Sequence, residues 1–185
     1  MSNATCLKHQ FLLAMPGQAG SYFADSIIYL CEHNAEGAMG IVINKPMDLR
    51  LKELLEQFGF DAQFESSVQV IEGGPVQTDR GFILHSDDKR FQASLNLGEG
   101  LVLTTARDIL EAIGRGEGPE DYLVALGYAG WSEGQLEQEM AENAWLTCPA
   151  DPEILFRTPL DQRVDRAARS LGIDFRLISG QAGYA

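Results

Sequence analysis

Cys31 and His33 stand two residues apart in a run rich in Ile, Tyr and Leu. Alternation along a strand puts both on one face, where an imidazole could take a proton from a thiol. The same two residues also fit a purely structural role, a small buried thiol beside a hydrogen-bonded core histidine. No third group that would orient the base is identifiable. Metal chemistry would need three or four ligands drawn from Cys, His and carboxylates. His9, His33 and His85 are far apart, and neither HxxxH nor CxxC occurs, so no metal site is expected.

Anion chemistry has two candidate loops. Glu72-Gly73-Gly74-Pro75-Val76 follows a short strand, with Arg80 shortly after, so backbone amides and a guanidinium could hold a phosphate or carboxylate. A tight turn that needs glycine is the structural alternative and is favoured. Gly127-Tyr128-Ala129-Gly130-Trp131 links a strand to a helix start, where the indole either walls a pocket or fills the core. Polar and glycine-rich positions at expected strand ends give a candidate ligand pocket of Asn44, Lys45, Gly73, Gly74, Arg80, His85 and Trp131. There is no Gly-x-Ser-x-Gly, no P-loop and no GxGxxG fingerprint. No catalytic residue and no cofactor is therefore assigned, and the reading leans away from an enzyme.

The elements that must position these residues follow from pattern. Strands are expected at Phe11–Met15, Ser26–His33, Met39–Asn44, Gln69–Glu72, Gly81–His85, Ala93–Leu97, Leu101–Thr104, Tyr122–Gly127, Ala144–Thr147 and Phe175–Ile178. Asn34–Gly37 is a turn, and Pro46 breaks the pattern. Leu51, Leu54, Leu55 and Phe58 have helical spacing. Thr105 can cap a helix carrying Ile109, Leu110 and Ile113, and Ser132 with Gln135 fits a capping box. Thr158-Pro159 starts a last helix with Leu160, Val164, Ala167 and Leu171 as its apolar face. Hairpins mixed with longer crossovers predict an α+β fold around a mixed sheet with flanking helices.

The chain has 185 residues, 45% hydrophobic and 22% charged, which fits a single domain over residues 1–185. With 27 acidic and 14 basic residues its net charge is -13, which opposes phosphate backbones and acidic lipid surfaces. The basic concentration lies in Arg157–Arg176, five Arg against three Asp, with Arg163, Arg166 and Arg169 recurring every three residues. A solvated helix face explains that stripe better than nucleic-acid contact. Three widely spaced cysteines fit a reducing compartment, and no stretch approaches a membrane span, so a cytoplasmic location is expected.

Several segments in order carry a resemblance: Phe11-Leu-Leu-Ala-Met-Pro16, Tyr29-Leu-Cys-Glu-His-Asn34, Glu36-Gly-Ala-Met-Gly-Ile-Val-Ile-Asn-Lys-Pro46, Gly73-Gly-Pro-Val76, Asp79-Arg-Gly-Phe-Ile-Leu-His85, Leu126-Gly-Tyr-Ala-Gly-Trp131, Gly134-Gln-Leu-Glu137 and Asn143-Ala-Trp-Leu-Thr-Cys-Pro149. Together they closely resemble the bacterial AlgH/YqgE family from about Leu7 to Ala185. The resemblance implies a bacterial cytoplasmic protein with a mixed, strongly curved, partly barrel-like sheet. Members are commonly labelled transcriptional regulators, and the family brings no established reaction, cofactor or ligand. Regulation through a protein partner or a bound metabolite is the favoured expectation; a ligand-binding protein or enzyme, or a direct DNA binder, are the alternatives. The chain departs from the family pattern at Pro16-Gly17-Gln18-Ala19-Gly20 and at Tyr184, where relatives usually carry His.

Overall fold

A computed structural model describes residues 6–18, 20–61 and 68–174. The expected strand at Phe175–Ile178 and Tyr184 lie outside the described residues. In chain order the elements are β1 (Gln10–Ala14), β2 (Ile27–Asn34), β3 (Gly37–Val42), β4 (Pro46–Arg50), α1 (Leu51–Gln57), β5 (Gln69–Glu72), β6 (Val76–Ser86), β7 (Ser94–Gly98), β8 (Leu101–Thr104), α2 (Arg107–Gly114), β9 (Tyr122–Trp131), α3 (Gln135–Ala141), β10 (Trp145–Pro149) and α4 (Arg163–Ser170). The class is α+β. Strand pairing is mixed, because β5 runs parallel to β9 while the other described pairs are antiparallel.

The chain divides into two compact units, Met1–Asn44 with Ala129–Ala185, and Lys45–Tyr128. In the first, strands lie in the order β10, β1, β2, β3 and the end of β9. Leu12, Ile28, Leu30, Val42, Trp131, Leu136 and Trp145 form its core cluster, so one side of the sheet is covered by α3. The β2–β3 hairpin closes through Asn34, whose Oδ1 accepts the Glu36 N–H at 2.8 Å. A bulge between Leu30 and Glu32 inserts one residue and resets the alternation of β2. α4 is preceded by a 3-10 turn at Leu160–Gln162, so the helical phase restarts at Arg163 rather than at Pro159. Arg163, Ala167 and Ala168 are buried, while Leu171, expected on the apolar face, is 38% exposed.

In the second unit the order is β4, β5, the start of β9, β6, β8, β7. α1 and α2 cover this sheet through Leu51, Leu54, Leu55, Ile109, Leu110 and Ile113. Pro46 does not end regular structure but opens β4, a position where a strand tolerates a residue without an N–H. β6 begins five residues earlier than Gly81, at Val76, with a bulge between Val76 and Gly81. α2 begins after Ala106 without a side-chain cap, so Thr105 does not cap it. In the other unit Gln135 Oε1 accepts the Ser132 N–H at 2.9 Å, half of the expected capping box, yet α3 starts behind a left-handed Gly134 and Ser132 does not cap it.

Candidate functional site

Cys31 is sealed from solvent, and burial pushes its thiol far above the ordinary range, with the Glu32 charge adding to the rise and Lys8 opposing it. Its Sγ lies 3.9 Å from the Tyr29 carbonyl. His33 Nδ1 accepts the Leu7 N–H at 2.9 Å, which leaves the proton on Nε2, and Nε2 donates to Glu137 Oε1 at 2.9 Å. Both ring nitrogens are committed, and neither is left to take a thiol proton. The bulge in β2 explains the failure of simple alternation: His33 reaches across to α3, while Cys31 stays in the interior. The structure does not assemble a Cys31–His33 nucleophile.

Most of the seven candidate pocket residues have internal duties. Asn44 Oδ1 accepts the Ile27 N–H at 3.1 Å and its Nδ2 donates to the Asp25 carbonyl at 2.9 Å. The Lys45 carbonyl accepts the Glu72 N–H. At Gly73 and Gly74 the chain passes so close to Gly127 that a Cβ on Gly73 would lie 2.4 Å from the Gly127 carbonyl oxygen, and one on Gly127 would lie 2.3 Å from that of Gly74. Gly127 also has φ +79. These glycines serve the close approach of two stretches of backbone. His85 is fully buried; its Nδ1–H donates to the Ser86 carbonyl and its Nε2 meets Thr104 Oγ1, both at 2.7 Å. Trp131 is buried too, and its Nε1 donates to Glu139 Oε1 at 3.1 Å, an oxygen that also takes the Trp145 Nε1–H at 2.9 Å.

Arg80 is different. It projects from the exposed half of β6 into a cleft of about 370 Å³ within the second unit, bordered by Phe58, Gln77, Asp79, Thr105 and Arg107 among others. Its guanidinium lies 5.6 Å from the Phe82 ring centroid and donates weakly to Gln77 Oε1 at 3.3 Å and Thr105 Oγ1 at 3.5 Å. Arg107, the first residue of α2, donates to the Phe58 carbonyl at 2.7 Å and sits 5.7 and 5.3 Å from the Phe58 and Phe60 centroids. Aromatic faces hold both guanidiniums while leaving donors open. The uncapped start of α2, at Ala106 and Arg107, adds partly positive N–H groups to the same rim. Asp79 is the acidic group on this border, so two cations face one anion in a chain of net charge -13. This arrangement can hold a carboxylate or phosphate by paired donors, with Phe58 beside it for an apolar body. Among the described residues, no group of three His, Cys, Asp or Glu side chains could hold a metal.

Arg80 was visible in the sequence as an anion-holding candidate; Arg107, Thr105 and Phe58 were not. The available signal is their position at the β8–α2 junction and the end of α1, because strand ends and helix starts are where ligands are often held.

The AlgH-like family, DUF179, matches residues 11–176. A UPF0301 protein of Thioalkalivibrio sulfidiphilus is 56% identical over 186 residues, 100% of both chains. A UPF0301 protein of Pseudomonas aeruginosa is 53% identical over 187 residues, 100% of this chain and 98% of its own. The solution structure of the AlgH protein from Pseudomonas aeruginosa superposes with a TM-score of 0.80 at 51% identity, covering 100% of this chain and 99% of the other. A crystal structure of a Corynebacterium diphtheriae protein shares the fold at a TM-score of 0.76 and 20% identity, covering 97% and 94%.

Proposed function

The chain belongs to the AlgH-like family, and we propose that it is a bacterial regulatory protein that works by binding a small anionic metabolite in the Arg80–Arg107 cleft and passing that state to a protein partner. The carrying observation is the pair of guanidiniums, each held on aromatic faces and open to one cleft, in an otherwise acidic chain. The side chains on its border, two guanidiniums with Gln77 and Thr105 beside them, are groups that bind an anion, which supports a ligand-binding role. Regulation is then indirect. The charge of -13 opposes duplex DNA, and Arg163, one third of the arginine stripe, is buried and faces inward. A cytoplasmic setting fits three unpaired cysteines, and among the described residues no helix is long and apolar enough to cross a membrane.

The test is a panel of mono-, di- and tricarboxylates, pyrophosphate and nucleotides, read by thermal shift and calorimetry. At least one is expected to bind, and Arg80→Ala and Arg107→Ala each to weaken it about tenfold, the loss of roughly 1.4 kcal/mol of charge-assisted hydrogen bonding. An affinity untouched by either substitution overturns the reading. Duplex-DNA binding that is sequence-dependent and survives ~150 mM salt would make regulation direct instead.

A further inference from the structure

A second cavity in the same unit, of about 260 Å³, shares no lining residue with the arginine cleft. It is bordered by Asp87, Lys89, Arg90, Phe91, Ser94 and Asn96, with Val102. Behind it runs a chain of short hydrogen bonds: Ser94 Oγ to Thr104 Oγ1 at 2.8 Å, Thr104 Oγ1 to His85 Nε2 at 2.7 Å, and His85 Nδ1 to the Ser86 carbonyl at 2.7 Å. The direction of this chain can be deduced. A carbonyl only accepts, so Nδ1 carries the imidazole proton and Nε2 is bare. Nε2 must therefore accept, and its partner Thr104 donates. The Thr104 oxygen is then left as an acceptor for Ser94, whose hydroxyl can donate there or to the Phe91 carbonyl, also at 2.8 Å. Thr104 and His85 are fully buried, whereas Ser94 is exposed on the edge strand β7.

From this geometry we infer that Ser94 is a nucleophile, activated through Thr104 by the buried base His85, and that the cavity hydrolyses small esters bearing an anionic group. In the first step Ser94 Oγ forms a bond to the ester carbonyl carbon. Its proton moves to Thr104 Oγ1 as the Thr104 proton moves to His85 Nε2. The ester C–O bond breaks and the departing alcohol takes a proton back along the same path. Water then attacks the acyl–serine, releasing the carboxylic acid and restoring the Ser94 hydroxyl. The imidazolium that forms in between is disfavoured by burial but helped by the Ser86 carbonyl and by the charges of Asp88 and Asp87. Anionic selectivity comes from the excess of two cations over one carboxylate on the border: Lys89, whose Nζ is fixed on the Glu117 carbonyl at 2.8 Å, and Arg90 outweigh Asp87. Thr104 and His85 act through Ser94 and are positioning residues.

A fluorophosphonate probe tests this on the full chain, with the adduct mapped by mass spectrometry. The expected result is an adduct on Ser94 that disappears in Ser94→Ala. Thr104→Val should slow labelling roughly a hundredfold, the worth of general-base assistance, and Thr104→Ser should restore it. A 4-nitrophenyl hemisuccinate should be cleaved faster than the neutral 4-nitrophenyl acetate. Absence of a Ser94 adduct above the Ser94→Ala background overturns the proposal, as does equal labelling of a folded Thr104→Val. Where Thr104→Val does not fold, wild type against Ser94→Ala decides. Preference for the neutral ester overturns the assigned substrate class.

Discussion

Arg163 in α4 and the Arg80–Arg107 pair of the second unit are chemically identical groups in opposite conditions. Arg163 is 5% exposed; its Nε donates to the Thr158 carbonyl at 2.9 Å and its Nη1 to the Ile43 carbonyl at 2.6 Å. Burial pulls its pKa down to about 10, so it remains charged at neutral pH. Arg80 and Arg107 lie on aromatic faces beside solvent, with hydrogen bonds that leave donors open. The difference teaches that a guanidinium becomes a binding group through what it leaves unsatisfied, and a structural one through what it satisfies. Residue type alone does not separate Arg163 from Arg80 and Arg107 in the sequence.

The largest effect separating them is on stability. Arg163→Met leaves two buried carbonyls without a charged donor, at about 1–3 kcal/mol each, partly offset by removal of a buried charge. A net loss of roughly 3 kcal/mol is expected in urea unfolding. Unchanged stability would mean that desolvation cancels the hydrogen bonds, and the contrast would fail. Arg80→Ala and Arg107→Ala should instead cost less than about 1 kcal/mol, as exposed substitutions usually do, while weakening anion binding. A large destabilisation from Arg107→Ala would move it to the structural class.

His85 extends the contrast to a sealed group for which burial favours the neutral form at rest. Its folded-state pKa is lowered from 6.5 chiefly by burial, with the Ser86 carbonyl and the Asp88 and Asp87 charges opposing. Below about pH 6.5 the unfolded chain takes up a proton that the native state refuses. The stability contributed by the neutral imidazole is thus complete above that pH and declines as pH falls towards the folded-state value. Urea unfolding between about pH 7 and 5 should show this slope in the wild type and a shallower one in His85→Gln. Equal slopes would show that the imidazole titrates normally.

Much of this was legible in the sequence, for identifiable reasons. β1, β2 and β5 announce themselves because buried strands are short apolar runs, and α1 because Leu51, Leu54 and Leu55 recur on one face. β4 was hidden because Pro46 reads as a breaker unless its edge position is known. The face of α4 was misplaced because a 3-10 turn shifts the phase, and the Cys31–His33 pair because a bulge is silent in the pattern. In the cleft, Arg80 was singled out by its neighbours in sequence, but Arg107 meets it through folding, 27 residues away in the chain. Convergence of that kind leaves no local signature.

Arg115 supplies the smallest effect and the control for the whole comparison. Its Nη2 pairs with Glu111 Oε1 at 2.6 Å across one turn, with both side chains about half exposed, 57% and 43%. Such i,i+4 pairs contribute roughly 0.3–0.5 kcal/mol and weaken in salt. Arg115→Ala should therefore shift unfolding by no more than about 0.5 kcal/mol. It carries the same charge as Arg107 but is not among the residues bordering the cleft. If affinity for the anion comes from directed donors, Arg115→Ala leaves it unchanged while Arg107→Ala reduces it. If both substitutions weaken binding equally, and equally less at high salt, the anion responds to net charge alone. The aromatic cradle of Arg80 and Arg107 would then have no part in recognition.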